Sequence, residues 1–415
     1  MIQPPPIIRL FARTLLMLLV VLATLSADQA ERLGLAALRM PVFTMVVAAQ
    51  VVLGLLVRPA PDEHDALVAT LLATIVGAIA VLDLQGTVDP IDYKLLLPVA
   101  VLFASGPIAD SLGARDLPNW LWRVLSLYVL ATSLVVFTSD PADLARGADG
   151  IVRIDASGSL VTHSAFCTIH LALAAATFRR ASLLGKLARL VTGGCSLAML
   201  LAAATRTPFL TLSLGMTMLL AVAPDRARWA RLLPMGAALI AAALFTYTVG
   251  VDDSLWRRIW SDGQAEWSTG RAVAVDHWIQ VSLDHPLGLG LGAVRDALGD
   301  GKPPLDGEAI LDWPHNEAIR LWVEAGPIGL SFLLLLLGTL LARSLAICRN
   351  HPDDATRVTA AVVMADILAQ SFFQNWLNGV YHATFGVVVV CLLWRPLPIR
   401  HAAASSGLTP SQTAV

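Results

Sequence analysis

Charge is scarce in this chain. Only 14% of its 415 residues are Asp, Glu, Lys or Arg, against 56% hydrophobic, whereas soluble domains carry about 25% charged residues. That shortage excludes an ordinary soluble domain and predicts a polytopic membrane protein. A net charge of −2, with no basic stripe, excludes nucleic acid as a partner. The four cysteines, Cys167, Cys195, Cys348 and Cys391, fall in or beside apolar runs. They show no CxxC and no Cys/His pairing, so they signal neither a metal site nor a disulfide framework and read as small buried side chains. No carboxylate cluster suited to Mg²⁺ is evident, and there is no internal repeat of the kind many secondary transporters carry. Arg9 and Arg13 precede an apolar stretch with no clear cleavage site, which predicts a first membrane helix and not a removed leader.

What the chain does have is long apolar runs. A crossing takes about 20 largely apolar residues, and such runs fall at 8–26, 36–57, 66–84, 94–112, 119–138, 160–178, 186–204, 208–223, 231–250, 324–346, 357–376 and 380–394. The fold expected is all-α, with about 12 transmembrane helices. Nine of these helices occupy 1–250, a large outer loop with short helices follows at 251–323, three more helices fill 324–394, and 395–415 forms a disordered cytoplasmic tail. More than half of the 29 Lys and Arg residues, among them Arg58, Arg115, Arg179, Arg180, Lys186, Arg343, Arg349 and Arg357, lie in connections on one side. By the positive-inside rule that side is the cytoplasm, which also receives both termini.

The 251–323 loop is too long to be a simple connection. It holds Trp256, Trp260, Trp267, Trp278, Trp313 and Trp322, more than half of the 11 tryptophans, and tryptophan favours the membrane interface. A second outer loop, 139–159, is rich in Asp and Gly and reads as solvated. Within the long loop, "STGRAVAVDHWIQVSLDHPLGLGLG" predicts a helix capped by Ser268 or Thr269 and closed by Pro286 and the glycines. Arg271 then sits in its first turn, where backbone N–H groups and the helix dipole already favour an anion. Two readings fit it: an anion-binding residue, or a surface arginine paired with a carboxylate. Gly288, Gly290 and Gly292 do not form GxGxxG after a strand and read as a tight turn, not a nucleotide loop.

Arg206, in "ATRTPFL", falls at the outer surface at the start of the eighth span, where Pro208 suits a first helical turn. An ionisable residue there is a functional candidate; it is equally placed to snorkel. Two arginines at two helix starts could grip a diphosphate through their guanidinium forks. Lys94, at the outer start of the fourth span, either adds charge to that site or anchors the interface. In "WPHNEAIRLWVEAGPIGL", Asn316 is the expected N-cap of a helix over 317–325, and Gly326-Pro327 loosens the backbone where the tenth span enters the membrane. His315 is thereby placed at a helix start as a candidate general base; a lone interfacial histidine is also commonly structural. Asp366, Gln370, Gln374 and Asn375 recur near helical spacing and are expected to face the bundle interior, and His163 and His170 to make buried polar contacts.

The pattern His315-Asn316, nine residues, then Gly326-x-x-Gly329, with the upstream "TGR…W…HPLGLGLG", resembles the O-antigen ligase and O-antigen polymerase superfamily. The resemblance implies a GT-C-type membrane glycosyltransferase that works by inversion, with no metal and no cofactor. A polysaccharide on an undecaprenyl-diphosphate donor would pass to a sugar hydroxyl of a lipid A-core acceptor at the periplasmic face of a bacterial inner membrane. The 251–323 loop would then be periplasmic, and the partners would be these two lipids and the surrounding membrane. On this resemblance His315, Arg271 and Arg206 are the catalytic residues, with His315 either the base for the acceptor hydroxyl or a residue that orients the acceptor or binds the diphosphate, and Arg206, Arg271, Lys94 and Asn316 hold the diphosphate or substrate. The short stretch after the last span favours the ligase over an oligosaccharyltransferase that modifies protein. A polymerase using the same donor is the nearest alternative, and a multi-pass lipid or sugar transporter the alternative of a different class.

Overall fold

In a computed structural model the described residues are 6–24, 34–57, 63–82, 117–138, 145–146, 153–154, 160–203, 207–222, 271–294, 314–374 and 380–393, with the single positions 30, 97, 100, 101, 224 and 377. They form helices α1 (Pro6–Thr24), α2 (Ala36–Val57), α3 (Glu63–Leu82), α4 (Leu117–Thr138), α5 (Leu160–Thr177), α6 (Leu183–Ala203), α7 (Thr207–Val222), α8 (Arg271–Asp284), α9 (Glu317–Asn350), α10 (Asp354–Phe373) and α11 (Val380–Leu393). One turn of 3₁₀ helix, Phe178–Arg180, joins α5 to α6. The all-helical expectation holds for the described elements, apart from a ribbon of two residues per strand in the 139–159 connection, where β1 (Ala145–Arg146) pairs antiparallel with β2 (Arg153–Ile154). The expected ninth span, 231–250, lies outside the described residues, as do most of the fourth, 94–112, and the 395–415 tail.

Among the described residues, four helices are long and apolar enough to cross a membrane: the segments Leu117–Val136 of α4 and Leu183–Leu201 of α6, then α9 and α10. Helix α9 runs 34 residues, roughly 51 Å at 1.5 Å per residue, more than a hydrocarbon core of about 30 Å requires. It is broken at Gly326 (φ 58°, ψ −150°). A nine-residue head, 317–325, therefore precedes the membrane-length part. At its far end α9 runs beyond the expected 324–346. Arg343, expected in a connection, is instead buried inside the helix, its Nη1 donating to Cys391 Sγ of α11 at 3.3 Å.

Helix α10 is the central helix and packs on α4, α5, α7, α9 and α11. Its Ala360, Ala361, Ala365 and Ala369 are all buried, and small side chains let neighbouring helices approach closely where lipid supplies no hydrophobic drive. Phe166 of α5 fills the middle, edge-on to Tyr128 at 5.5 Å, His382 at 5.7 Å and Phe385 at 5.1 Å. The bundle's outside is apolar as well: Leu183 and Leu184 of α6 are 86% and 78% exposed, as suits a surface solvated by lipid tails. The expected inward polar residues are inside. His163 Nδ1 meets Tyr128 Oη at 2.8 Å, and His170 bridges Ser126 and Ser196 at 2.9 and 2.7 Å. Asp366 Oδ2 meets His382 Nε2 at 2.8 Å, with Gln370 beside it. Gln374 ends α10, and Asn375 lies outside the described residues. Cys167, Cys348 and Cys391 are buried, and Cys195 is half-buried.

Contacts also fix which ends of the helices lie together. Arg180 pairs with Asp353, and Arg189 donates to Asn119 Oδ1 at 2.9 Å and Thr177 Oγ1 at 2.8 Å. The start of α4, the α5–α6 connection and the α9–α10 connection thus share one end of the bundle, the end where Arg179, Arg180, Lys186, Arg349 and Arg357 collect. The start of α9 is at the other end.

Candidate functional site

At that opposite end the chain enters α9 through Pro314 and His315. Asn316 is extended (φ −149°, ψ 116°), and its Oδ1 accepts from Ala318 N at 2.9 Å and Ile319 N at 3.3 Å. This is the expected N-cap, worth about 1 kcal/mol. The same contacts commit Oδ1 to two of the amides that an anion at this helix start would otherwise use. His315 is the one non-glycine residue among those described with positive φ, at 45°. Left-handed backbone costs a side-chain-bearing residue about 1–3 kcal/mol and persists only where the surroundings over-determine it. Cap and strained turn together place a half-buried imidazole at the mouth of the bundle.

The head of α9 has a charged interior. Glu317, Arg320 and Glu324 are 0%, 4% and 2% exposed. Arg320 donates through Nε to Glu317 Oε1 at 2.8 Å, through Nη2 to the same oxygen, and through Nη1 to Glu324 Oε2 at 2.5 Å. The other oxygen of Glu317 accepts from the backbone N–H of Leu377, between α10 and α11, at 3.1 Å. Sequence reasoning assigned these three residues no role. The available signal was the spacing E-x-x-R-x-x-x-E, which stacks all three on one helix face.

Helix α8 docks on the same head. Ala274, Trp278 and Val294 form a small core with Val323, flanked by Val281 and Ile319. Beyond Pro286 the glycine turn hydrogen-bonds to α9: Leu289 N to Val323 O at 2.8 Å and Gly290 N to Glu324 O at 2.9 Å. A Cβ on Gly288 would lie 2.6 Å from Glu324 O, and one on Gly326 would lie 2.7 Å from Pro286 O. Both positions also have positive φ, so the two glycines are required by the approach of the two segments. Gly329 is close-packed too, since a Cβ there would lie 2.5 Å from Leu321 O. The turn expected at Gly288–Gly292 is therefore present, and it serves as the joint between α8 and α9.

Arg271 is the first residue of α8, so its backbone is carried on an element fixed to the head that follows His315. The conformation of its side chain, Arg206 and Lys94 lie outside the described residues, as do Ser268 and Thr269. The structure thus unites His315, Asn316 and the α8 scaffold. Among the described residues no group of three or more His, Cys, Asp or Glu side chains is arranged to hold a metal ion.

A helical bundle with membrane-length apolar helices, and with polar residues built into one end, defines an integral membrane protein whose candidate site lies at the mouth of the bundle. Residues 191–334 match the family model described as O-antigen ligase, so this part of the chain is similar to that family. The match takes in Arg206, Arg271, His315, Asn316, Gly326 and Gly329, together with Glu317, Arg320 and Glu324. No curated protein matches the chain.

Proposed function

We propose that this protein is an O-antigen ligase. It transfers O-antigen polysaccharide from undecaprenyl diphosphate to a sugar hydroxyl of lipid A-core at the periplasmic face of the inner membrane, within a twelve-span architecture whose termini are cytoplasmic. The observation that carries the reading is His315, held in strained backbone directly before an Asn316-capped helix, inside the segment matched by the family.

The acceptor hydroxyl attacks the anomeric carbon of the donor while His315 takes its proton. The bond from that carbon to the phosphate oxygen breaks, and its electron pair leaves with undecaprenyl diphosphate. A single displacement inverts the anomeric centre. Arg206 and Arg271 receive the charge that develops on the departing diphosphate; preorganised donors of this kind act most strongly where water is excluded, and the guanidinium fork matches phosphate oxygens two at a time. Lys94 adds positive charge. Asn316 sets the start of the helix and with it the place of His315. General-base assistance of this type is worth about 10²–10⁴ in rate, and the chemistry requires no metal.

The test is reconstitution with undecaprenyl-diphosphate-linked glycan and purified lipid A-core in the presence of a chelator. Transfer to the core is the expected result. Lengthening of the lipid-linked glycan without core attachment would make the protein a polymerase, and loss of transfer on chelation would overturn metal independence.

A further inference from the structure

Burying two carboxylates and one guanidinium is expensive. Replacing such a network by apolar residues of similar volume is often neutral or stabilising. The head of α9 already has apolar residues to bury, since Leu321, Val323 and Ala325 are all at 4% exposure or less. Stability alone therefore does not account for Glu317, Arg320 and Glu324.

What the network does that an apolar face could not is fix geometry. Glu317 directly follows the cap Asn316. One of its oxygens is gripped by Arg320 and the other by the N–H of Leu377, 60 residues further along the chain. Arg320 reaches one turn forward to Glu324, whose own carbonyl oxygen accepts Gly290 N from the α8 turn. The side chains thus brace a helix of nine residues and tie it to the segment between α10 and α11, and the backbone carbonyls of that braced helix hold the α8 turn. An apolar contact tolerates sliding by a fraction of an ångström, whereas these bonds do not, and displacement of about 1 Å at a reacting group can cost 10²-fold in rate.

We infer that Glu317, Arg320 and Glu324 are positioning residues, a buried strut that sets His315 relative to the α8 arm and the α10–α11 segment. The inference rests on the reading of His315 as the base. The three side chains touch no reacting atom, and they act through the histidine's place.

Two variants test it in the reconstituted full-length protein, with undecaprenyl-diphosphate-linked glycan and lipid A-core as substrates. The triple variant Glu317→Leu, Arg320→Met, Glu324→Leu is expected to melt within a few degrees of the parent, as apolar replacement of a buried network allows. Its kcat is expected to fall by about tenfold or more, with KM for both substrates nearly unchanged. Arg320→Lys keeps the charge but lacks the fork that holds two carboxylates at once, and the same split is expected; it decides the matter if the triple variant does not fold. Parental kcat in the folded triple variant, parental kcat in Arg320→Lys, or a rise in KM alone would overturn the strut. His315→Ala separates the two readings. If it is inactive while the strut variants are fully active, the strut fails and the base stands. If it is active, the base reading fails and the strut falls with it.

Discussion

The carboxylate of Asp353 pairs with the guanidinium of Arg180 and so joins the α9–α10 connection to the α5–α6 connection. Two stretches of the chain rich in basic residues are thereby held at one end of the bundle, with His315 at the other. In a cysteine-free background, a cysteine at exposed Asn350 is expected to resist a membrane-impermeant thiol reagent added to intact cells whose outer membrane has been permeabilised. One at exposed Leu287 should label readily. The opposite pattern would invert the orientation drawn from the positive-inside rule.

Asp353 also caps α10, accepting from Thr356 N at 3.0 Å and Thr356 Oγ1 at 2.8 Å. Burial pushes its carboxyl up, but the Thr356 hydrogen bonds and the charge of Arg180 outweigh that and hold it below the ordinary 3.8. A carboxyl lowered by folding adds stability that is present above its ordinary value and is lost as the pH falls through its folded one. Nearby His351 is lowered below its ordinary 6.5, chiefly by burial, so its neutral form is favoured in the fold. Stability should therefore begin to fall as the pH drops below 6.5, where the unfolded chain protonates first, and fall again in the carboxylate range. Asp353→Ala should cost about 1 kcal/mol, whereas Asp353→Asn, itself a good cap, should cost less. Thermal melts across pH would measure both. A flat profile from pH 7 to 4 would contradict the assignment.

Gly288 and Gly326 fit against each other's segments with no room for a Cβ. Alanine at either position meets backbone atoms and a left-handed φ at once. Each substitution should cost roughly 1–3 kcal/mol from the φ alone and loosen α8 from α9. Limited proteolysis is expected to cut 271–294 faster in both variants, with transfer reduced. Unchanged protection would mean that the joint is not what holds α8.

His315 carries strain that glycine would not. His315→Gly is expected to raise thermal stability by about 1 kcal/mol while abolishing transfer; His315→Ala should abolish transfer without that gain. Near-parental activity in either variant would remove the imidazole from the chemistry.

Arg271→Lys retains a charge at the start of α8 but cannot form two parallel bonds to phosphate. Transfer should fall by about 10²-fold, the scale of losing one preorganised donor. Full activity would mean that simple charge attraction suffices at this position.

Most of the helical layout was legible because apolar runs of membrane length have few alternatives, and the Asn316 cap and the Gly326 break were legible because both rest on local backbone rules. The buried strut was not. Glu317, Arg320 and Glu324 in isolation look like an ion-paired solvated face, and only the approach of Leu377 from a remote segment shows that this face is interior. Arg343 was misplaced for a related reason. A charged residue near the end of an apolar run suggests a helix terminus, but here Cys391 gives the guanidinium a partner within the bundle and the helix continues. The β1–β2 ribbon, two residues to a strand, is too short to leave a periodic pattern.

The bond from Leu377 N to Glu317 has a consequence for the order of biosynthesis. Residue 377 leaves the ribosome 60 residues after residue 317, behind the whole of α9 and α10, and the α8 turn must wait for residues 323–326 before it has anything to dock on. A nascent chain can insert its early helices in sequence, yet the mouth of the bundle is assembled only once α10 has entered the membrane. If His315 is the base proposed above, a product truncated before that point is expected to be inert, because its histidine is not yet set.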